Sequence, residues 1–160
     1  LKGVFGQLVD DPVSYVNAPI MAKSRGIEVE LHINSDSPDH RNAVRITTTQ
    51  VNGDRTSVAG TVVCPRDEPR LVQIDEFDVE VALSDHMDFL GYIDQPGVVG
   101  KLGQILGRAG INIAGMQVGR TAVGGRALTL LTVDSEVPSA TMDEIVAEIG
   151  AGFGKSVDLA

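Results

Sequence analysis

The sequence predicts an α+β chain in two parts, the first mixing helix with antiparallel strands and the second alternating strand and helix. Three observations predict it. The apolar period changes from helical to alternating at Gly26, short strand patterns then follow one another without a helix, and after residue 84 the order becomes strand–helix–strand–strand–helix–strand.

Residues 1–25 read as helix. Val13, Val16, Ala18, Ile20 and Met21 give a partly helical apolar stripe behind the start signal Asp10-Asp11-Pro12, and Asn17-Ala18-Pro19 bends or splits it. Ile27, Val29 and Leu31 alternate with Glu28, Glu30 and His32, the pattern of a half-buried strand. Residues 34–42 form a polar loop. Strands follow at 43–50, 56–64, 70–74 and 77–83, with Asn52-Gly53-Asp54 as a hairpin turn.

The second part opens with a strand from Phe89 to Asp94. Val98, Val99, Leu102, Ile105, Leu106 and Ala109 recur at helical spacing, and Gly110 ends that helix. Strands at 112–119 and 126–134 flank the turn Gly124-Gly125. Met142, Ile145, Val146 and Ile149 mark a second helix, for which Thr141 and Glu144 suggest a capping box. A strand from Phe153 to Leu159 completes βαββαβ, the ferredoxin-like split arrangement.

Composition narrows the function. The net charge of −9 repels phosphate backbones and anionic membranes, so neither nucleic acid nor membrane is an expected partner. Cys64 stands alone, which excludes an internal disulfide and a thiolate cluster, fits a reducing cytoplasm, and reads as a core residue ending a strand. His32, His40 and His86 share no ligand spacing, so no metal is expected. No dinucleotide fingerprint follows a strand, and no nucleophile, base and orienting group occur together, so no catalytic residue is assigned.

The turn Asp94-Gln95-Pro96-Gly97 is the most informative spot. Pro96 suits a helix start, Gly97 leaves room for a ligand, and the helix N–H groups favour a carboxylate. Asp94 can receive an ammonium group, Tyr92 lies on the same strand, and Asn112 offers an amide beyond the helix. Together these suit a free amino acid. Asp94 equally suits a helix N-cap, and Asn112 suits turn chemistry after Gly110. Gly100, Gly103 and Gly107 read as close helix packing. Ser37, His40 and Arg41 fall in a loop able to hold an anion or simply to face water.

With these residues in view, the chain resembles the C-terminal regulatory part of long-type bacterial D-3-phosphoglycerate dehydrogenases. The resemblance rests on Tyr15-Val16-Asn17-Ala18-Pro19, Ser37-Pro38-Asp39-His40-Arg41, the stretch from Tyr92 to Gly103, and Ala109-Gly110-Ile111-Asn112-Ile113-Ala114. It implies an incomplete α+β regulatory domain at 1–84, the allosteric substrate binding domain without its N-terminal strand, and a ferredoxin-like βαββαβ ACT domain at 85–160. An edge left open by the missing strand is then expected.

It further implies homo-oligomers joined through ACT sheet edges, with L-serine held by Tyr92, Asp94, Gly97 and Asn112. An upstream catalytic domain would carry NAD, leaving this chain without cofactor or catalysis. Some such enzymes also bind a polyvalent anion between the two regulatory domains. Arg70 fits that site, whereas Glu80 and Thr132 stand where cations are expected. The alternatives are the regulatory domains of an iron–sulfur L-serine dehydratase and a stand-alone ACT-type amino-acid-binding protein.

Overall fold

The computed structural model describes residues 1–6, 9, 11–34 and 42–159. The chain divides into two compact units, Leu1–Ser37 and Pro38–Ala160.

The first unit holds α1 (Lys2–Gly6) and α2 (Ala18–Ser24). Asn17 explains the break between them. Its Oδ1 accepts from the Ser14 amide at 2.7 Å and its Nδ2 donates to the Pro12 carbonyl at 2.8 Å, a local turn that competes with helix. Phe5, Ala18 and Ala22 form a small buried cluster with Val9 and Val13 against it. The strand expected from Ile27 to Leu31 is not formed, and Ile27, Val29, Leu31 and Ile33 are exposed. Alternation supplies an apolar face, but a strand also needs a ladder, and none of the described residues provides one.

The second unit contains two four-stranded antiparallel sheets. β1 (Val44–Thr49), β2 (Arg55–Val63), β3 (Glu68–Ile74) and β4 (Phe77–Ala82) form a meander in chain order. Gly53, at φ +90°, turns β1 into β2, as the Asn-Gly signal predicts. Asn42 ties the end of the preceding loop to β2: its carbonyl accepts from the Thr61 hydroxyl, and its Oδ1 from the Val62 amide at 3.1 Å. Cys64, just past β2, is exposed rather than part of the core.

The second sheet carries β5 (His86–Ile93), α3 (Val98–Arg108), β6 (Ile113–Arg120), β7 (Arg126–Val133), α4 (Ser139–Ile149) and β8 (Phe153–Asp158). Its strand order is β6-β7-β5-β8, the split βαβ topology expected, which makes β6 and β8 the edges. Both helices cover one face. Leu90 and Tyr92 of β5 pack with Ala127, Leu131 and Val133 of β7, against Leu102 and Leu106 of α3 and Ile145 and Ile149 of α4. On the opposite face Leu128 and Leu130 meet Val79 of β4, flanked by Phe77, Val81 and Phe89. β7 is therefore buried on both sides, which is why Ala127-Leu128-Thr129-Leu130-Leu131 reads as a nearly unbroken apolar run.

One helix end differs from expectation and another meets it. α4 has Pro138 at its N-cap without a side-chain cap, so Thr141 and Glu144 form no capping box: Thr141 lies a turn too far inside. α3 ends with Ala109 as C-cap, and Gly110 follows in the left-handed conformation at φ +72°, the usual place of a terminating glycine.

Candidate functional site

The turn from Asp94 to Gly97 links β5 to α3. Helix geometry begins at Val98, so Pro96 lies two residues before the first helical residue, and Gly97 is the N-cap at φ +93° and ψ −13°. A Cβ on Gly97 meets nothing within 4 Å. Its left-handed backbone, and not crowding within the chain, is what asks for glycine. With no side chain capping it, the start of α3 leaves amide donors available to an anion.

Asp94 is not that cap. Its Oδ2 lies 3.2 Å from Nη1 of Arg120, at the end of β6, and accepts from the Gly124 amide at 3.4 Å. The Asp94 amide donates to the Gly125 carbonyl at 2.8 Å. The carboxylate is thus held toward the β6–β7 turn. Gln95 fixes the turn from the other side, its Nε2 donating to the Ile149 carbonyl at 3.3 Å, and Lys101 Nζ reaches the Glu148 carbonyl at 2.6 Å. The first ties the turn, and the second α3, to the C-terminal end of α4. Arg120 and Gln95 escaped the sequence reading because neither type of contact follows a local spacing. A charge at the hairpin end, level with Asp94 across two strands, was the available signal.

Tyr92 is buried in the helix-side core, its hydroxyl 2.8 Å from Thr129 Oγ1. Asn112 is exposed and lies elsewhere. Its Nδ2 donates to Asp134 Oδ2 at 2.8 Å, and its carbonyl accepts from the Asp134 amide at 3.1 Å. Gly125 and Asp134 flank the 8 residues of β7, so Asp94 and Asn112 sit at opposite ends of the sheet, roughly 30 Å apart at about 3.3 Å per residue. Within one chain the turn and the amide do not meet.

The β6 edge between them is apolar. Met116 and Val118 are exposed, and their register opposite Leu131 and Thr129 puts them on the helix-side face. The close-packing explanation of Gly100, Gly103 and Gly107 fails within the chain, since a Cβ on any of them meets nothing within 4 Å. They face outward because Val98, Leu102, Ile105 and Leu106 take the inner side of α3.

Of the expected anion residues, Ser37, His40 and Arg41 lie outside the described residues. Arg70 is bracketed by Glu68 at 3.3 Å and Glu80 at 3.6 Å. Two carboxylates already answer its charge. Among the described residues, no three His, Cys, Asp or Glu side chains gather as metal ligands. No helix of the described residues is long and apolar enough to cross a membrane.

Among the described residues, one carboxylate is deeply buried. Asp88 on β5 is 2% exposed, with Oδ1 accepting from Ser156 Oγ at 2.5 Å and Oδ2 unpartnered. Desolvation pushes its pKa up, against the smaller opposing effects of the Ser156 hydrogen bond and of His86.

Known proteins agree with this architecture. Residues 1–75 match the D-3-phosphoglycerate dehydrogenase intervening domain, and residues 89–150 match the ACT domain. The D-3-phosphoglycerate dehydrogenase of Mycobacterium leprae is 34% identical over 99% of this chain and 30% of its own length. Those of Synechocystis sp. and Bacillus subtilis are 34% and 35% identical over 99% and 93% of the chain, which covers 28% and 27% of them. Fold and matches together define a regulatory pair of domains, an intervening domain followed by an ACT domain. In this portion the chain is similar to the D-3-phosphoglycerate dehydrogenases, and it spans about 30% of the length of the M. leprae relative.

Proposed function

We propose that the chain is the effector-sensing part of an NAD-dependent D-3-phosphoglycerate dehydrogenase of serine biosynthesis in the cytoplasm, and that its effector is L-serine. The domain boundary falls near residues 84–85, between β4 and β5. NAD belongs to the catalytic portion of such an enzyme, apart from the two domains matched here.

The observation that carries the reading is the placement of Asp94 and Asn112 at opposite ends of the edge strand β6. Antiparallel pairing of two β6 edges about a two-fold axis brings the Asn112 end of one copy beside the Arg120 end of the other, and so beside its Asp94. Pairing through β8 leaves Asn112 on the far edge. Met116, Val118 and the open Gly100, Gly103 and Gly107 favour the β6 side, since they allow a second copy to bury apolar surface with little steric obstruction.

At such a junction the start of α3 receives the serine carboxylate, Asp94 the ammonium group and Asn112 of the partner subunit the hydroxyl. Tyr92 supports the floor through its bond to Thr129. Serine acts by favouring one arrangement of paired chains over another, because an effector shifts an equilibrium only through differential affinity.

Calorimetric titration with serine, glycine and valine tests this. Serine is expected to bind most tightly, and Asp94→Ala to weaken it about tenfold or more through loss of a charge-assisted bond. Equal affinity for valine, or an unaffected Asp94→Ala variant, would overturn the assignment.

A further inference from the structure

Asp94 is not waiting empty for an ammonium group. Arg120 already lies 3.2 Å from it, and that contact spans two elements, the end of β6 and the turn after β5. The guanidinium is half exposed while the Asp94 side chain is 20% exposed, so the cation sits on the outer side of the carboxylate. Arg120 and the Gly124 amide both address Oδ2; among the described residues Oδ1 has no partner.

We propose that Arg120 is a specificity-determining residue that makes this site select amino acids over simple amines. The inference rests on the assignment of Asp94 to the ligand's ammonium group. A bare amine approaching Asp94 weakens the ion pair and returns nothing to Arg120. An α-amino acid brings both charges: its ammonium group replaces the guanidinium at Asp94, and its carboxylate, one oxygen on the start of α3, accepts from the released guanidinium through the other. Starting from one ion pair, the exchange leaves two with a zwitterion and only one with an amine. Arginine suits the role because its planar donors serve one carboxylate and then another without losing charge. The loss of a charged-group hydrogen bond corresponds to about tenfold or more in affinity.

The test compares L-serine with ethanolamine, which is serine without its carboxylate, by calorimetry on the 160-residue chain and its Arg120→Gln and Arg120→Lys variants. Thermal melts and circular dichroism check that each variant folds. The serine-over-ethanolamine preference is expected to fall about tenfold or more in Arg120→Gln and to persist largely in Arg120→Lys. A purely structural role weakens both ligands by the same factor, and that result overturns the proposal. So does a preference that is unchanged or larger in Arg120→Gln, or an amine that binds neither protein. Failure of the unaltered chain to bind serine overturns the effector assignment as well, whereas serine binding with an unmoved preference overturns only the role of Arg120.

Discussion

The two sheets of the second unit have the same strand number and antiparallel sense, yet they are buried very differently. β7 of the ACT sheet is covered on both faces, while every residue of β1 in the meander is exposed. Helices supply one cover for the ACT sheet and β4 supplies the other. Among the described residues of this unit, the meander meets the ACT sheet mainly through β4, with Leu71 and Ile74 of β3 packed against the same cluster. The Asp94–Gly97 turn thus rests on the more deeply buried of the two sheets.

Large-to-small substitution gives the greatest contrast. Leu90→Ala, at a fully buried position, is expected to cost about 2–5 kcal/mol in urea unfolding. Ile46→Ala in β1, about half exposed, should cost roughly 1 kcal/mol or less. Equal losses would break the comparison.

Gly97→Ala probes the turn before α3 next. A side chain at φ +93° is expected to cost about 1–3 kcal/mol, although the site has space for the added methyl group. A neutral outcome in the same unfolding assay would show that the turn relaxes freely.

Asp88→Asn gives a pH-dependent effect. The folded state holds the Asp88 proton to higher pH than the unfolded chain, so stability is lost as pH rises from the ordinary value of 3.8 through the raised one. The variant is expected to flatten that decline in denaturation curves recorded across this range, and an unchanged slope contradicts the burial argument.

The smallest effect concerns the link between the sheets. Gln117 Oε1 accepts from the Glu80 amide at 2.8 Å, and Gln117→Ala should cost about 1 kcal/mol. Hydrogen exchange is expected to quicken in β4 more than in β5.

The sequence made the ACT sheet legible because its periodicities are long and its helices amphipathic. Leu102, Ile105 and Leu106, and Ile145 and Ile149, were assigned to the core and are buried. Ile27–Leu31 misled because alternation reports an apolar face and says nothing of a pairing partner. Cys64 misled for a related reason: the apolar strand before it is covered on too little of its surface. At the candidate site, sequence picked out the turn and Asn112 but not their separation, which depends on the parallel direction of β5 and β6. Arg120 and Gln95 are tertiary contacts, invisible to local spacing.

Complementation between damaged chains tests the two-chain site most directly. Asp94→Ala and Asn112→Ala variants, each binding serine only weakly alone, are to be mixed with time for subunit exchange and titrated at a concentration where only intact sites fill. A site built from two copies predicts that binding returns at about a quarter of the wild-type site number, since about half of the randomly formed dimers are mixed and each holds one intact site. No recovered binding, with exchange verified, would contradict a site shared between Asp94 of one copy and Asn112 of another.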